Sequence, residues 1–384
     1  MAGSEVPIVW RGRRARAFVP ALLAEQDLGL TAESVRHTAA AAAEVNLSAA
    51  GMPTDYEPLA RLLLRAEGVA SSYIEGVTAP LIDVVLAEST SDRHTPAAWV
   101  AANLAAVTEA VAAADKAALS VELLCRWHRT VMTGSPTPER YVGVIRDEQG
   151  WIGGTNPLDA ALVTPPPDRL PELLADLVDF VNRDDLDPVA QAGFAHAQFE
   201  LIHPFGDGNG RVGRVLVSWL LARHLHLVTP PPVSIRMAAD RSGYLAGLTM
   251  FRLGMHDPWV RWFAEAVLGS GLAQRALVQH VADLQEQWRT RLASPRRGRA
   301  LRRDASAWTL LSLLPRQLAL NANLVAEQTG QTTRAAANGL HALVEAGILV
   351  EHRVTSAQRR TRGRPALLYV SPELLALAAS NPLS

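Results

Sequence analysis

The residues best placed to do chemistry lie in one run, His203-Pro-Phe-Gly-Asp-Gly-Asn-Gly-Arg-Val-Gly-Arg214. Gly208, Asn209 and Gly210 come just before an apolar helical stretch, 212–221. Glycines in that position let backbone N–H groups converge on an anion at the positive end of the helix dipole. Arg211 and Arg214 are three residues apart, share a helix face and could embrace a polyphosphate. Asp207 stands where a carboxylate could hold Mg²⁺ bridging phosphate oxygens. His203, at the other end, has a side chain whose unperturbed pKa of about 6.5 suits a general base. Base, metal carboxylate, anion nest and arginine clamp are the parts of a phosphoryl or nucleotidyl transfer site.

Helical patterning must position these parts. From residue 31 to 292 alanine and leucine fill the runs, and β-branched alternation is scarce. Apolar residues recur at three- and four-residue spacing over 97–114 and 170–181, with triple prolines at 165–167 and 230–232 as breaks. Residues 140–164 differ: glycines at 143, 150, 153 and 154 separate Val142, Val144, Ile145, Trp151 and Ile152, which is hairpin or loop composition. After a basic link at 294–303 the texture becomes short helix, turn, short helix. Two short strands then follow, at 348–350 and 367–370. Helix-turn-helix plus hairpin is the outline of a winged helix.

The pattern His-Pro-Phe-x-Asp-Gly-Asn-Gly-Arg-x-x-Arg resembles the signature of the Fic family (filamentation induced by cAMP). At about 5% usage per residue type, chance agreement at its fixed positions is on the order of 10⁻¹² per start position. The resemblance extends to Phe194–Glu200 ahead of the signature, and to Gly143–Arg146 and Trp151–Gly154, which look like the hairpin flap that aligns a target peptide. It also takes in Trp259–Ala264, so that it covers roughly 121–267. Where the family usually has Asn-Arg-x-x-Tyr, Asp240-Arg241-Ser242-Gly243-Tyr244 stands here.

The resemblance implies a mainly α fold: a Fic-type helical core with a small β-hairpin flap, plus a C-terminal winged-helix domain. It implies adenylylation, the transfer of AMP from ATP to a hydroxyl of a protein side chain. By similarity His203 is the base and Asp207 the Mg²⁺ ligand. Gly208, Asn209, Gly210, Arg211, Val212, Gly213 and Arg214 form the nucleotide-binding set, with Tyr244 either touching the nucleoside or serving as a core tyrosine. His196 reads as a structural histidine. Ser71-Ser-Tyr-Ile-Glu-Gly76 fits the family's inhibitory pattern, Ser/Thr-x-x-x-Glu-Gly/Asn. Ser71 and Glu75 project from one helical face, and Gly76 ends the turn. The resemblance implies that Glu75 pairs with Arg214 and keeps the γ-phosphate from seating productively.

The expected division is 1–95, an N-terminal helical segment with the inhibitory motif; 96–293, the catalytic core; and 294–384, the winged helix. The 384 residues carry 37 basic and 38 acidic side chains, a net charge of -1 that excludes a wholesale polycation. Contact with DNA must then be local. It would run through Arg296, Arg297, Arg299, Arg302 and Arg303, the wing's Arg359, Arg360, Arg362 and Arg364, and the row Arg334, Asn338 and His341. A single cysteine, Cys125, forbids an intrachain disulfide and suits a reducing cytoplasm. The N-terminus lacks signal-peptide order, and the most apolar stretch, 215–221, is far short of the ~20 residues of a membrane span. The expected partner is a protein bearing a Ser, Thr or Tyr hydroxyl, which includes the chain itself, and a homodimer stays open. Two other functions also stay open: removal of AMP from a modified protein, and DNA-binding regulation with a nucleotide-sensing core.

Overall fold

The computed structural model describes residues 3–52, 57–88, 94–294, 301–302, 305–315, 317–353 and 367–379, with side chains for all of these except 57–60 and 378–379. The clustered arginines 296, 297, 299, 303, 359, 360, 362 and 364 lie outside the described residues.

Strands β1 (Ser4–Trp10) and β2 (Arg13–Val19) pair antiparallel, with Trp10 opposite Arg13 and Glu5 opposite Phe18. Arg11 and Gly12 join them with φ of 47° and 78°, the two left-handed conformations that suit the twist of a tight hairpin. This hairpin precedes the helices within the segment 1–95 and was not foreseen from the sequence. Val6, Ile8 and Trp10 alternate at the strand period and turn inward together.

Helices follow: α1 (Ala32–Ala50), α2 (Glu57–Ile74), α3 (Leu81–Glu88), α4 (Pro96–Ala113) and α5 (Val121–Val131). Thr31, Thr95 and Ser120 cap α1, α4 and α5, each side-chain oxygen accepting from a backbone N–H three residues on. The glycine-rich stretch then contributes only two short strands, β3 (Trp151–Ile152) and β4 (Leu162–Val163), which pair antiparallel. Helix α6 (Leu170–Val181) restarts after the prolines, and α7 (Pro188–Ile202) begins with Asp187 accepting from the N–H groups of Val189 and Ala190. Next come α8 (Asn209–His224), α9 (Val233–Ala239), α10 (Arg241–Arg252) and α11 (His256–Ala293).

Helices α7 and α8 lie side by side and are buried on nearly every side, so they show no polar stripe. Around them Trp127, Trp219, Trp259, Phe180, Phe199 and Phe263 form the main core. At 38 residues, about 57 Å by helical rise, α11 outruns that core. Its second half carries Leu277, Val281, Leu284 and Trp288 into another cluster, shared with Leu62 and Leu63 of α2.

The rest of that cluster comes from the C-terminal elements: α12 (Ser306–Leu313), β5 (Ala319–Leu320), α13 (Ala322–Thr329), α14 (Thr333–Glu345), β6 (Val350–Arg353), β7 (Leu367–Val370) and α15 (Pro372–Ala379). The strands form one antiparallel sheet in the order β5-β7-β6. Arg334, Asn338 and His341 are exposed along α14. Among the described residues one helix, α4, is long and apolar enough to cross a membrane, and 61% of it is buried against its neighbours.

A buried carboxylate ties α2 to α9: Glu67 accepts from the N–H of Ser234 (2.8 Å) and from its hydroxyl. Burial pushes the Glu67 carboxyl up to about 7, against the Ser234 hydrogen bonds and Arg214, which lower it. The unfolded chain therefore gives up this proton first, and its contribution to stability is lost as pH rises from about 4.5 to about 7. Glu67→Gln keeps an acceptor for Ser234 and abolishes that titration. Denaturant melts across this window should show the variant gaining on the wild type as pH rises, by up to about 3 kcal/mol. A constant difference would show that Glu67 does not titrate there.

Candidate active site

The turn from α7 to α8 is held by side chains that spend their hydrogen bonds on backbone. Helix α7 ends at His203, whose φ of 50° is left-handed and whose N–H donates to the Phe199 carbonyl at 2.9 Å. A non-glycine residue stays in that conformation only where neighbours over-determine it. Here Arg146 does so: its Nε donates to the His203 carbonyl (2.8 Å), and its other nitrogens reach the carbonyls of Glu148 (2.8 Å) and Pro165 (2.7 Å) and the Thr164 hydroxyl (3.0 Å). Burial lowers Arg146 to about 10, which leaves it charged at neutral pH. Asn209 clamps the next stretch, accepting from the Phe205 N–H (2.9 Å) and donating to the Phe205 carbonyl (2.8 Å).

His128 of α5 completes the frame. Its Nδ1 accepts from the Gly143 N–H (2.7 Å), so its Nε2 carries the proton and donates to the Asp207 carbonyl (2.9 Å). Burial lowers this imidazole to about 4 and keeps it neutral, and the ring stacks on Phe205 at 3.9 Å. One ring thus joins the flap to the signature loop.

Positive charge gathers at the start of α8. Helix geometry leaves the N–H groups of Asn209, Gly210 and Arg211 without intrahelical partners. Arg211 is buried, with one nitrogen 3.3 Å from the Met132 sulfur and Nε unpartnered among the described residues. A buried donor without an acceptor costs about 1–3 kcal/mol, which an anion would relieve. Arg214 is 1% exposed, donating from Nε to the Ser71 hydroxyl (3.0 Å) and from Nη2 to the Ser71 carbonyl (3.0 Å) and Glu75 Oε1 (2.7 Å). Burial opposes its charge, but Glu75 chief among its neighbours holds its pKa above the usual arginine value. Burial would raise the Glu75 carboxyl, yet Arg214 and Arg211 hold it below the usual carboxylate range. The Glu75 carboxylate lies so close over Gly210 that any Cβ there would strike it. It therefore occupies ground at the helix N-terminus that a phosphate would use.

The structure brings most of the expected set together, though not all in the expected role. His203, Glu75, Gly210, Arg214 and Tyr244 border one cavity of about 490 Å³. His203 also borders a second, of about 330 Å³, with Tyr141, Asp147, Glu148, Trp151 and Phe205. Burial draws the His203 imidazole down to about 4, so it is an unprotonated base at neutral pH. Asp207 is exposed; its Oδ2 accepts from the Thr137 hydroxyl (2.9 Å) and its Oδ1 from the Gly208 N–H (2.7 Å). Gly208, with φ of 77°, caps the helix. Asn209 faces Phe205 and cannot offer its side chain to a phosphate. Val212 is in the core, and Gly213 lies against Glu200 and His196, so neither lines the cavity. Tyr244 is both core and wall: buried against Trp259 and Trp262, it meets His196 Nε2 at 2.8 Å. His196 is fully buried and neutral, a structural histidine. Gly76, with φ of 76°, follows Glu75 just past the end of α2.

The roles of His128 and Arg146 were not read from sequence. Arg146 stood inside the flap pattern, but nothing in its spacing shows that it turns inward. No local signal marks His128, 75 residues before His203.

A helix start with two buried arginines beside a neutral histidine offers an anion a site in a helical domain. Residues 118–221 match the Fic/DOC family profile. The chain is 33% identical over 150 residues to protein adenylyltransferase fic-1 of Caenorhabditis briggsae, covering 38% of this chain and 27% of that protein. It is 33% identical over 154 residues to protein adenylyltransferase Fic of Drosophila willistoni, covering 39% and 28%. The chain thus spans little more than a quarter of the length of these curated relatives. Its fold is similar to that of a Fic family protein from Desulfovibrio desulfuricans G20, with TM-score 0.53, 21% identity, and coverage of 89% of this chain and 96% of that one. It is also similar to a Fic domain containing signaling protein from Bacteroides thetaiotaomicron VPI-5482, with TM-score 0.52, 18% identity, and coverage of 63% and 98%.

Asn209→Ala would strand a buried N–H and a buried carbonyl on Phe205. Unfolding should become easier by about 2–5 kcal/mol in denaturant melts. A variant with wild-type stability would show that water replaces the clamp.

Proposed function

We propose that this protein transfers AMP from ATP to a Ser, Thr or Tyr hydroxyl of a protein, its own chain included, and that Glu75 restrains the reaction. The observation that carries this reading is the position of His203, an unprotonated base bordering two cavities, one of which holds the cationic start of α8. The nucleotide takes the first cavity and the acceptor side chain approaches from the second. The acceptor oxygen attacks the α-phosphorus as its proton passes to His203. The bond from the α-phosphorus to the bridging oxygen breaks, and pyrophosphate leaves. Arg211, Arg214 and the free N–H groups of α8 bind the β- and γ-phosphates, and Arg211 Nε gains its missing acceptor.

A cation would bind here together with the phosphates. That suits Mg²⁺, which takes one or two carboxylates and completes its shell with phosphate oxygens and water. The exposed Asp207 would hold it, and the ion would neutralise charge on the departing pyrophosphate.

Removal of AMP is a second reading with its own support. Glu75, kept ionised by Arg214, borders the same cavity as His203 and could orient a hydrolytic water. For the C-terminal elements 305–379 we propose a winged helix that offers Arg334, Asn338 and His341 to DNA. We assign the protein to the cytoplasm, in keeping with its lone thiol, Cys125.

Glu75→Gly frees Arg214 and clears the space over Gly210. Mass spectrometry after incubation with Mg²⁺ and ATP should show more AMP on the protein and its targets, whereas a hydrolase would lose AMP removal. Transfer at the wild-type level would end the self-inhibition reading. His203→Ala in that background should cut transfer by about 10²–10⁴-fold while ATP affinity stays nearly intact. Because burial depresses His203, and the base works only unprotonated, the transfer rate should stay level from neutral pH down to about 5 and fall as pH nears 4. An acid limb near 6.5 would contradict a buried base.

A further inference from the structure

The β1–β2 hairpin is packed onto the flap. Strand β2 runs beside β4, and Trp10 meets Trp151 edge to face with ring centroids 5.4 Å apart. Trp151 lines the 330 Å³ cavity that reaches His203. The hairpin tip therefore stands at the mouth of the acceptor side of the site.

That tip is cationic. Arg11, in the turn, lies over the Trp10 ring at 5.5 Å. Arg13 pairs with Trp10 across the hairpin, and directly paired residues share a face, so Arg13 lies on the face turned to the flap. Arg14 belongs to the opposite face. Arg16 is paired with Glu5, whereas Arg11, Arg13 and Arg14 are exposed and have no acidic partner among the described residues. In a chain of net charge -1 this is a local concentration, not a reflection of composition. Charge of this kind commonly blunts a sheet edge, but that role does not require cations on the face beside a cavity mouth.

We propose that the hairpin is a docking arm for an acidic segment of the protein substrate, with Arg11 and Arg13 as its contacts. This rests on the reading of the chain as a protein-modifying enzyme. Asp147 and Glu148 line the cavity, and Arg146 beside them already spends its nitrogens on carbonyls and Thr164. A continuous polyanion running from arm to base therefore meets two carboxylates and, among the described residues, no free cation there. A polypeptide can separate its charges, placing carboxylates at the arm and the acceptor hydroxyl at the cavity. Such complementarity raises encounter rate and fixes register.

The test uses the full chain carrying Glu75→Gly. Two labelled peptides share one set of Ser, Thr and Tyr acceptors, one flanked by a run of glutamates and the other by glutamines. At low salt the glutamate peptide should bind about tenfold more tightly by anisotropy and accept AMP correspondingly faster. Arg11→Asn with Arg13→Gln should erase that advantage and leave the glutamine peptide unchanged; asparagine tolerates the left-handed turn position. Arg14→Gln, on the other face, should keep most of it. Equal behaviour of the two peptides, or equal loss in the Arg14 variant, would overturn the arm. So would single-stranded DNA displacing the glutamate peptide from Arg11 and Arg13. If nothing is modified, not even the chain itself, the proposed activity fails, while the binding comparison still decides the arm.

Discussion

A guanidinium with 1% of its surface exposed must have partners, and the arrangement around the site follows from meeting that requirement for Arg214. Its place on α8 is set by the packing of α7 and α8 at the centre of the core. Its partners must be brought to it, and three of its hydrogen bonds go to the end of α2 and the residue that follows: the Ser71 hydroxyl, the Ser71 carbonyl and the Glu75 carboxylate. Two of these are neutral acceptors. The third is charged and about one-third exposed, so it is the partner that a phosphate could replace.

The position of α2 then matters as much as its sequence. Asn103 of α4 donates to the Gly68 carbonyl (3.0 Å) and to the Ser72 hydroxyl (3.2 Å). Arg65 makes a two-pronged pair with Glu88 of α3 (2.9 and 2.7 Å), and Glu67 reaches Ser234 of α9. On its other side α2 gives Leu62 and Leu63 to the cluster built by α11 and the C-terminal helices. The helix that carries Glu75 is thus part of both hydrophobic clusters. The C-terminal elements and the cavity that Glu75 borders therefore meet a common element.

The signature turn is rigid for a different reason. His128, Arg146 and Asn209 direct their hydrogen bonds to backbone atoms of the turn and flap, so the chain between α7 and α8 has little freedom. Burial keeps His128 and His203 neutral, and His128 is a fixed donor and acceptor. A turn held this way presents the N–H groups at the start of α8 in fixed positions.

Local chemistry was legible in the sequence. The glycines, the paired arginines, Asp207 and His203 are neighbours in the chain, and a turn followed by a helix brings neighbours together without help. The Ser71-to-Glu75 spacing likewise put both side chains on one helical face. The N-terminal hairpin was hidden because its strand-period alternation spans only a few residues and is interrupted by Pro7 and the arginines. The flap shrank to four paired residues because its glycines and prolines leave few positions able to join a ladder. Orientation was not legible at all. The motif could not say that Asn209 turns to Phe205, that Val212 and Gly213 face the core, or that His128 and Arg146 bind the turn. Those facts depend on which face of a fully buried helix meets which neighbour, and a helix buried on all sides has no pattern to reveal it. The sequence by itself determined which groups are available for the chemistry. The tertiary structure decided which are desolvated, which are already bonded to backbone, and which remain open to a ligand, because burial and hydrogen-bond partners are set by residues far away in the chain.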